Sequence, residues 1–368
     1  MSSESSDRRP PRGTRGPDRA TPVNLRDVAA HAAVSVATAS RVFAGNPNVN
    51  PQSRERVLAS AAALGYVVNG LARAMMGRGR RSIAFVVRAM IGPTFAAIAA
   101  GVESVARQGG HMVLMSATDG DPEREAELIR VLRELRVQTV LLVGSTESDA
   151  SFDERAAGYA RDLAHVNASL ILCGRPSIAS HPALISVNYD QAAGVSAAVD
   201  ELVRLGHSRI AYLGEGKGMT TAELRLGGYE AALRRHGIMP DPALIRPCAN
   251  SEDEGMRAAE EVLRSGIPLT AIVTMTDTIA IGVYRAARAL GLTLPNDLSI
   301  VGFDDAPMVG DLTPALTTVR PPFFTLGVRA AEIALDLAPA EHVLLPVTFI
   351  KRNSAAPPTA GRLAKHPS

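Results

Sequence analysis

Seven short apolar runs punctuate the chain from residue 82 onward: SIAFVV (82–87), HMVLMSA (111–117), TVLLVGS (139–145), SLILCG (169–174), RIAYLGE (209–215), AIVTM (271–275) and LSIVGF (298–303). Each is too short for a buried helix. Each is also too continuously apolar for a strand with one face in water, which would alternate. Such runs are strands buried on both faces, which implies parallel sheets covered by helices. Helical patterns fall between them, as in PEREAELIRVLREL (122–135) and DTIAIGVYRAARALG (277–291). Nearly 290 residues is long for one such sheet, so two doubly wound lobes with a cleft between them are expected. Ligands of such folds bind at the carboxyl ends of the strands.

The first 81 residues have a different texture. They carry 13 Arg against five acidic residues, whereas the remainder has an acidic excess of six. A basic head on an acidic body points to a polyanionic partner for the head. Residues 1–22 are rich in Ser, Arg, Pro and Gly and are expected to form a disordered basic arm. Residues 23–66 read as compact helices, and 67–81 as a basic, Gly-dotted connector. Aromatic residues make up only 4% of the chain, so the cores must be aliphatic. Cys173 and Cys248 form no metal spacing or disulfide framework. No apolar leader-like stretch occupies residues 1–22, and no run of about 18 apolar residues suggests a membrane span. The expectation is a cytoplasmic protein.

In the head, Asn24 followed three residues later by Asp27 resembles a capping box. Leu25, Val28, Ala29 and Ala32 fall on one helical face. A short turn, AVS, leads to a second helix from Val36 to about Phe43, capped by Ser35. Two short helices joined by three residues have helix-turn-helix geometry. On the second helix Ala39, Val42 and Phe43 can face inward. Val36, Ala37, Ser40 and Arg41 lie on the other side, where small side chains would let the helix enter a major groove. A third helix starts at Pro51 behind Asn50 and ends at Gly65. Periodicity alone leaves open a small helical bundle making protein contacts instead.

The stretch LRDVAAHAAVSVATASRVFAGNPNVNPQSRERVLASAAALGYVVNGLARAM closely resembles the DNA-binding head of the lactose/galactose repressor (LacI/GalR) family. The likeness continues through TDGDPEREAELI, LGHSRIAYLG, LRLGGYEAAL, LPNDLSIVGFDD and LTTVRPP, covering about residues 24–356. The resemblance implies an α-helical helix-turn-helix head and a two-lobed α/β body of the periplasmic-binding-protein type. It implies base contacts from Val36, Ala37 and Arg41, and backbone contacts from Thr38, Ser40, Ser53 and Asn69. Residues 69–77 match a hinge helix, with Met75 at the position of a minor-groove wedge. In the body, Arg225 and Asp304 match ligand-gripping positions, and Phe95, Thr276, Asp277 and Phe323 map to the same cleft. For Arg225 and Asp304 a loop or interdomain salt bridge is the alternative; for Asp277 it is the N-cap of the following helix. Lobe 1 is expected over about 82–187 and 319–340, lobe 2 over about 188–318 and 341–356, and a disordered tail over 357–368.

The implied function is a sequence-specific transcription repressor. It would bind double-stranded, pseudo-palindromic operator DNA as a homodimer, under control of a sugar or sugar-like small molecule. No cofactor, metal or membrane partner is expected. Several positions depart from the family pattern. Ala33 replaces a turn Gly, Val68 a Pro, and Met75 a Leu. Ala89 and Gly174 stand where Asp is frequent, Thr276 where Asn or Asp is usual, and ANSEDEG (249–255) lacks an aromatic residue. These changes leave room for a non-sugar effector such as a nucleoside-like molecule. A solute-binding transport component fits the body but not the basic head. An enzyme is disfavoured: GEGKG (214–218) lacks P-loop spacing, and neither HExxH nor G-x-S-x-G occurs.

Overall fold

The computed structural model describes residues 23–66, 82–90 and 92–359. The connector at 67–81, with Asn69 and Met75, lies outside the described residues, as do 1–22 and 360–368. The chain divides into two compact units, Met1–Gly79 and Arg80–Ser368.

The head has three helices, α1 (Leu25–His31), α2 (Val36–Phe43) and α3 (Pro51–Ala63). The expected capping box is present: the Asn24 side chain accepts from the Arg26 and Asp27 N–H groups, and Asp27 accepts from the Asn24 N–H. Ser35 caps α2 by accepting from Thr38 N–H at 3.0 Å. Val28, Ala29 and Ala32 of the first segment pack against Ala39, Val42, Val57 and Ala61 to form a small aliphatic core. Phe43 and Tyr66 close its edge, with ring centroids 5.5 Å apart.

All three helices end in the same reverse turn, in which the second residue past the C-cap donates back across six residues. The donors are Val34 to Ala29, Asn46 to Arg41, and Tyr66 to Ala61. This turn needs positive φ at the residue after the C-cap. Gly45 and Gly65 supply it at +69° and +63°, whereas Ala33 is forced to +50°.

The body holds two parallel sheets. The first lobe contains β1 (Ser82–Val87), β2 (Met112–Ala117), β3 (Thr139–Val143), β4 (Ser169–Cys173), β5 (Ser186–Tyr189) and β11 (Val343–Leu345), in the order β11-β5-β4-β3-β1-β2. Its helices are α4 (Pro93–Gln108), α5 (Pro122–Glu134), α6 (Ala150–Ala164) and α11 (Phe323–Ala334). Helices α4 and α11 pack backbone to backbone through Gly101 and Gly327. A Cβ at either residue would strike a main-chain carbonyl oxygen, of Phe324 or Ile98 respectively. The second lobe has the sheet β7 (Ile245–Pro247), β6 (Ile210–Gly214), β8 (Ala271–Thr274) and β9 (Ser299–Val301), in that order. Around it lie α7 (Gln191–Arg204), α8 (Thr220–Arg235), α9 (Glu252–Arg264) and α10 (Asp277–Ala289). An antiparallel pair, β10 (Thr318–Arg320) with β12 (Thr348–Ile350), extends this lobe next to β9.

Strand pairing shifts the expected lobe boundaries. Asn188 and Tyr189 pair with Leu344 and Leu345 in the first lobe's sheet, so the first crossing falls at residue 190. The second comes after Arg320 and the third after Leu345, because β10 and β12 pair with each other beside β9 of the second lobe. The short strands at these crossings lie in none of the seven continuous apolar runs, so the sequence pattern does not mark them. The described end of the chain is held in place: Ser299 and His207 bond to Ala356, and Thr359 Oγ1, within the expected tail, donates to the Asn296 carbonyl oxygen. No helix among the described residues is long and apolar enough to cross a membrane.

Replacing Ala33 with Gly relieves the steric penalty of its left-handed backbone but adds unfolded-state entropy. A net gain of roughly 0.5 kcal/mol in head stability is expected. Urea unfolding of the full chain, followed by a probe in the head, should show a higher midpoint. A lower midpoint would mean that the turn is not strained.

Candidate functional site

Two surfaces bring together the residues singled out in the sequence. On the head, α2 turns Ala39 and Val42 inward, both buried, and leaves Val36, Ala37 and Arg41 exposed. Val36 is 44% exposed, so its apolar side chain is available on the outer face of α2. Thr38, Ser40 and Ser53 are half-buried. The Thr38 and Ser35 hydroxyls bond to each other at 2.8 Å, so the Thr38 hydroxyl is already oriented.

In the body, a cavity of about 370 Å³ opens between the lobes at the carboxyl ends of the strands. Phe95, Arg225, Thr276, Asp277, Asp304 and Phe323 all line it. The first lobe presents Ala89, Phe95, Ile98, Gly144, Gly174 and Phe323 together with the polar Arg88, Thr94, Ser145 and Tyr189, and the second presents Glu215, Thr221, Arg225, Asn250, Thr276 and Asp304 beside Met219 and Met275.

Arg225 is the most constrained of these residues. It is buried on α8, with its guanidinium carbon 3.8 Å from the Phe303 ring centroid. Its Nε donates to Gln191 Oε1 at 3.2 Å, Nη1 to the Met275 carbonyl oxygen, and Nη2 to both the Tyr189 hydroxyl (3.1 Å) and Asp304 Oδ1 (3.3 Å). A guanidinium has five donor hydrogens, so these four contacts leave little over for a ligand. The salt-bridge alternative is therefore realised, within the second lobe. Burial alone would push this guanidinium down. The neighbouring Tyr189 and Asp304 more than offset it, so its pKa lies above the usual arginine value.

Asp304 follows β9 with φ +112°, and Asp305 follows it with φ +51°. Backbone strain in consecutive non-glycine residues marks a position where geometry is imposed by its surroundings. Here the Asp304 N–H donates to the Val319 carbonyl oxygen at 2.8 Å, and Arg320 and Arg352 both pair with Asp305. Asp304 Oδ2 makes no hydrogen bond among the described residues. Burial pushes the Asp304 carboxyl up to about 6, although Arg225 acts against the rise.

Asp277 and Thr276 are less available than expected. Thr276, not Asp277, caps α10, accepting from Ile279 N–H, and its hydroxyl donates to Asn250 Oδ1 at 2.6 Å. Both Asp277 oxygens are occupied, by the Thr318 hydroxyl and the Ala306 N–H, each at 2.7 Å. Burial, helped by the charge of Asp304, raises its carboxyl to about 8. Asp277 thus ties the cleft's floor to β10. Phe323 is largely buried, in an edge-on contact with Tyr189 at 5.5 Å.

The sequence reading missed Tyr189 and Gln191, which hold Arg225, because VNYDQAAG gave no strand or helix signal. It also missed a latch across the cleft mouth. Thr221 N–H donates to Ser145 Oγ at 3.2 Å, Thr220 N–H to the Thr146 carbonyl oxygen at 2.9 Å, and the Ser148 hydroxyl to Glu223 at 2.7 Å. GEGKG is the loop that serves this latch, through the Gly218 carbonyl oxygen and Ser148 N–H. His207 is structural, with ring contacts to Thr270 and Ala356. Among the described residues no group of His, Cys, Asp and Glu could hold a metal ion.

A helix-turn-helix head carried with a two-lobed ligand-binding body defines a class of ligand-responsive transcription regulators. Residues 24–69 match the family described as bacterial regulatory proteins, lacI family, and residues 199–355 match a periplasmic binding protein-like domain. The HTH-type transcriptional repressor CytR of Escherichia coli K12 is 31% identical over 324 residues, covering 88% of this chain and 92% of that protein. The regulator GalR of the same organism is 30% identical, covering 91% and 96%. The crystal structure of the lac repressor dimer bound to operator and the anti-inducer ONPF matches with a TM-score of 0.77 at 28% identity, covering 91% of this chain and 100% of that one. A LacI family regulator from Enterococcus faecium with bound ribose matches with a TM-score of 0.64 at 27% identity, covering 75% and 99%. The chain belongs to the lacI family: it is a transcriptional regulator with a DNA-binding and a ligand-binding domain.

The two raised carboxyls give a pH signature. Each holds its proton in the folded state above the pH at which the unfolded chain releases it. Body stability should therefore fall as pH rises from about 4 toward about 8. Asp277→Asn, which keeps the shape and cannot ionise, should flatten the upper part of this decline, between about 6 and 8. Thermal unfolding at pH 6 and pH 8 checks it; an unchanged slope in the variant would mean that Asp277 is ionised throughout.

Proposed function

We propose that this regulator is a repressor that binds a pseudo-palindromic operator as a homodimer and is controlled by a hydroxyl-rich small molecule in the interlobe cleft. The observation that carries the ligand reading is the Arg225–Asp304 pair. Asp304 is held by the guanidinium through one oxygen, and its other oxygen is uncommitted at the cavity wall. An immobilised carboxylate accepts from ligand hydroxyls without losing side-chain entropy. Arg225 positions Asp304 and Tyr189, and contributes at most one further donor. The apolar first-lobe wall of Phe95, Ile98 and Phe323 suits the C–H face of a sugar. The ribose-bound Enterococcus relative supports a sugar or sugar-like effector. A nucleoside-like effector is the second reading, favoured by the absence of polar side chains at Ala89, Gly144 and Gly174.

In the head, Val36, Ala37 and Arg41 face base edges, while Thr38, Ser40 and Ser53 approach phosphates. Asn69 and Met75 complete the interface through the connector, Met75 as the minor-groove wedge. Effector and DNA are coupled reciprocally: each changes affinity for the other by the same factor. The regulator works in the cytoplasm, where its DNA and effector meet.

Arg41→Ala should weaken operator binding by roughly 1–3 kcal/mol and relax preference at one base position. Selection from randomised duplexes measures this; an unchanged base preference would remove Arg41 from the readout. Asp304→Asn should weaken the effector response by about ten- to a hundredfold while leaving DNA affinity intact. Titration of the DNA complex with candidate sugars tests it, and a full response in the variant would place the effector elsewhere.

A further inference from the structure

A second cavity, of about 300 Å³, lies at the first crossing between the lobes, between β5 and β11 on one side and the start of α7 on the other. Tyr189 lines both this cavity and the interlobe cleft; Gln191 lines this one. These are the two side chains that hold Arg225 through its Nη2 and Nε. Gln191 is held on one side only: its Oε1 accepts from Arg225, while its Nε2 is buried with no partner. Such an amide is less firmly fixed than one satisfied at both ends.

The walls of this cavity are mostly apolar: Pro176, Tyr189, Ala192, Leu224, Val343 and Leu344. Its polar groups are largely committed. His342 accepts from Ser186 N–H at Nδ1 and donates to the Pro182 carbonyl oxygen from Nε2, and the Ser186 hydroxyl donates to the Arg175 carbonyl oxygen. Apart from the Gln191 amide and the Ser177 hydroxyl, two groups of the lining keep unused capacity. Asn188 Oδ1 accepts from Tyr189 N–H, leaving its Nδ2 donors; Asp190 Oδ1 accepts from Ala193 N–H, leaving Oδ2 as an acceptor. The cavity therefore offers a donor and an acceptor two positions apart, set in an apolar wall. The Asp190 carboxylate opposes an anion, and an ammonium cation, which carries no acceptor, leaves the Asn188 donors unmatched.

We propose that this hinge cavity is a second ligand site, for a neutral single-ring molecule carrying an adjacent acceptor and donor, as a carboxamide does. Its occupant acts through Tyr189 and Gln191 on Arg225, and so on the effector cleft. The site itself stands independently of the proposed function; only its effect on DNA binding rests on that reading.

The test uses benzamide as the probe, with benzoate and benzylamine as its charged counterparts, on the full-length protein. Calorimetry should show benzamide binding at one site, with both charged probes about tenfold weaker or more. Ala192→Phe, which fills the cavity, should abolish binding. Asp190→Ser, which keeps a helix cap but removes the carboxylate, should weaken it about fivefold or more. No benzamide binding to the wild type, equal binding of a charged probe, or binding that survives both substitutions overturns the site. If benzamide binds as expected but leaves affinity for a selected DNA duplex unchanged, the coupling to Arg225 is overturned and the site stands.

Discussion

One buried guanidinium organises the ligand-binding body. Burying a cation is costly unless its hydrogens are matched, and Arg225 meets that demand with partners drawn from across the hinge. Tyr189 comes from the last strand of the first lobe before the chain crosses, Gln191 from the first residue of the helix after it, Met275 from the end of β8, and Asp304 from the end of β9. A relative movement of the lobes must disturb at least one of these bonds. The orientation of Asp304, its strained backbone and its pairing with Arg225 are therefore tied to the state of the hinge.

The latch at the cleft mouth works alongside this centre. It joins residues 145–148 of the first lobe to 218–223 of the second through short polar side chains and main-chain groups. Each such bond contributes about 1 kcal/mol net. Together they tie the two lobes to each other at the mouth of the cavity.

The head obeys a simpler economy. Its three helices use the same terminal turn, and its second helix keeps only two fully buried side chains. Caps, turns and the apolar face of α1 were legible because they depend on neighbours within a few residues. The strands β1 to β4, β6, β8 and β9 were legible for the same reason, each within a residue or two of its run. The strands β5, β7 and β10 to β12 were not, since their three or four residues lie in none of the seven continuous apolar runs, unlike the equally short β8 and β9. With β5 went Tyr189, and with the helix after it Gln191, the two residues that decide what Arg225 can do.

The sequence by itself determined the class of fold and the helix boundaries of the head, which follow from local pattern, while Arg225 and Asp304 were singled out through the resemblance to the lacI family. Only the tertiary structure decided how that pair is used. It spent most of the guanidinium's donors on the protein, closed both oxygens of Asp277 on Thr318 and Ala306, and left one oxygen of Asp304 at the cavity wall. The reason is distance along the chain. These partners lie 29 to 79 residues apart, and which of them meet depends on where three short crossing strands return between the lobes.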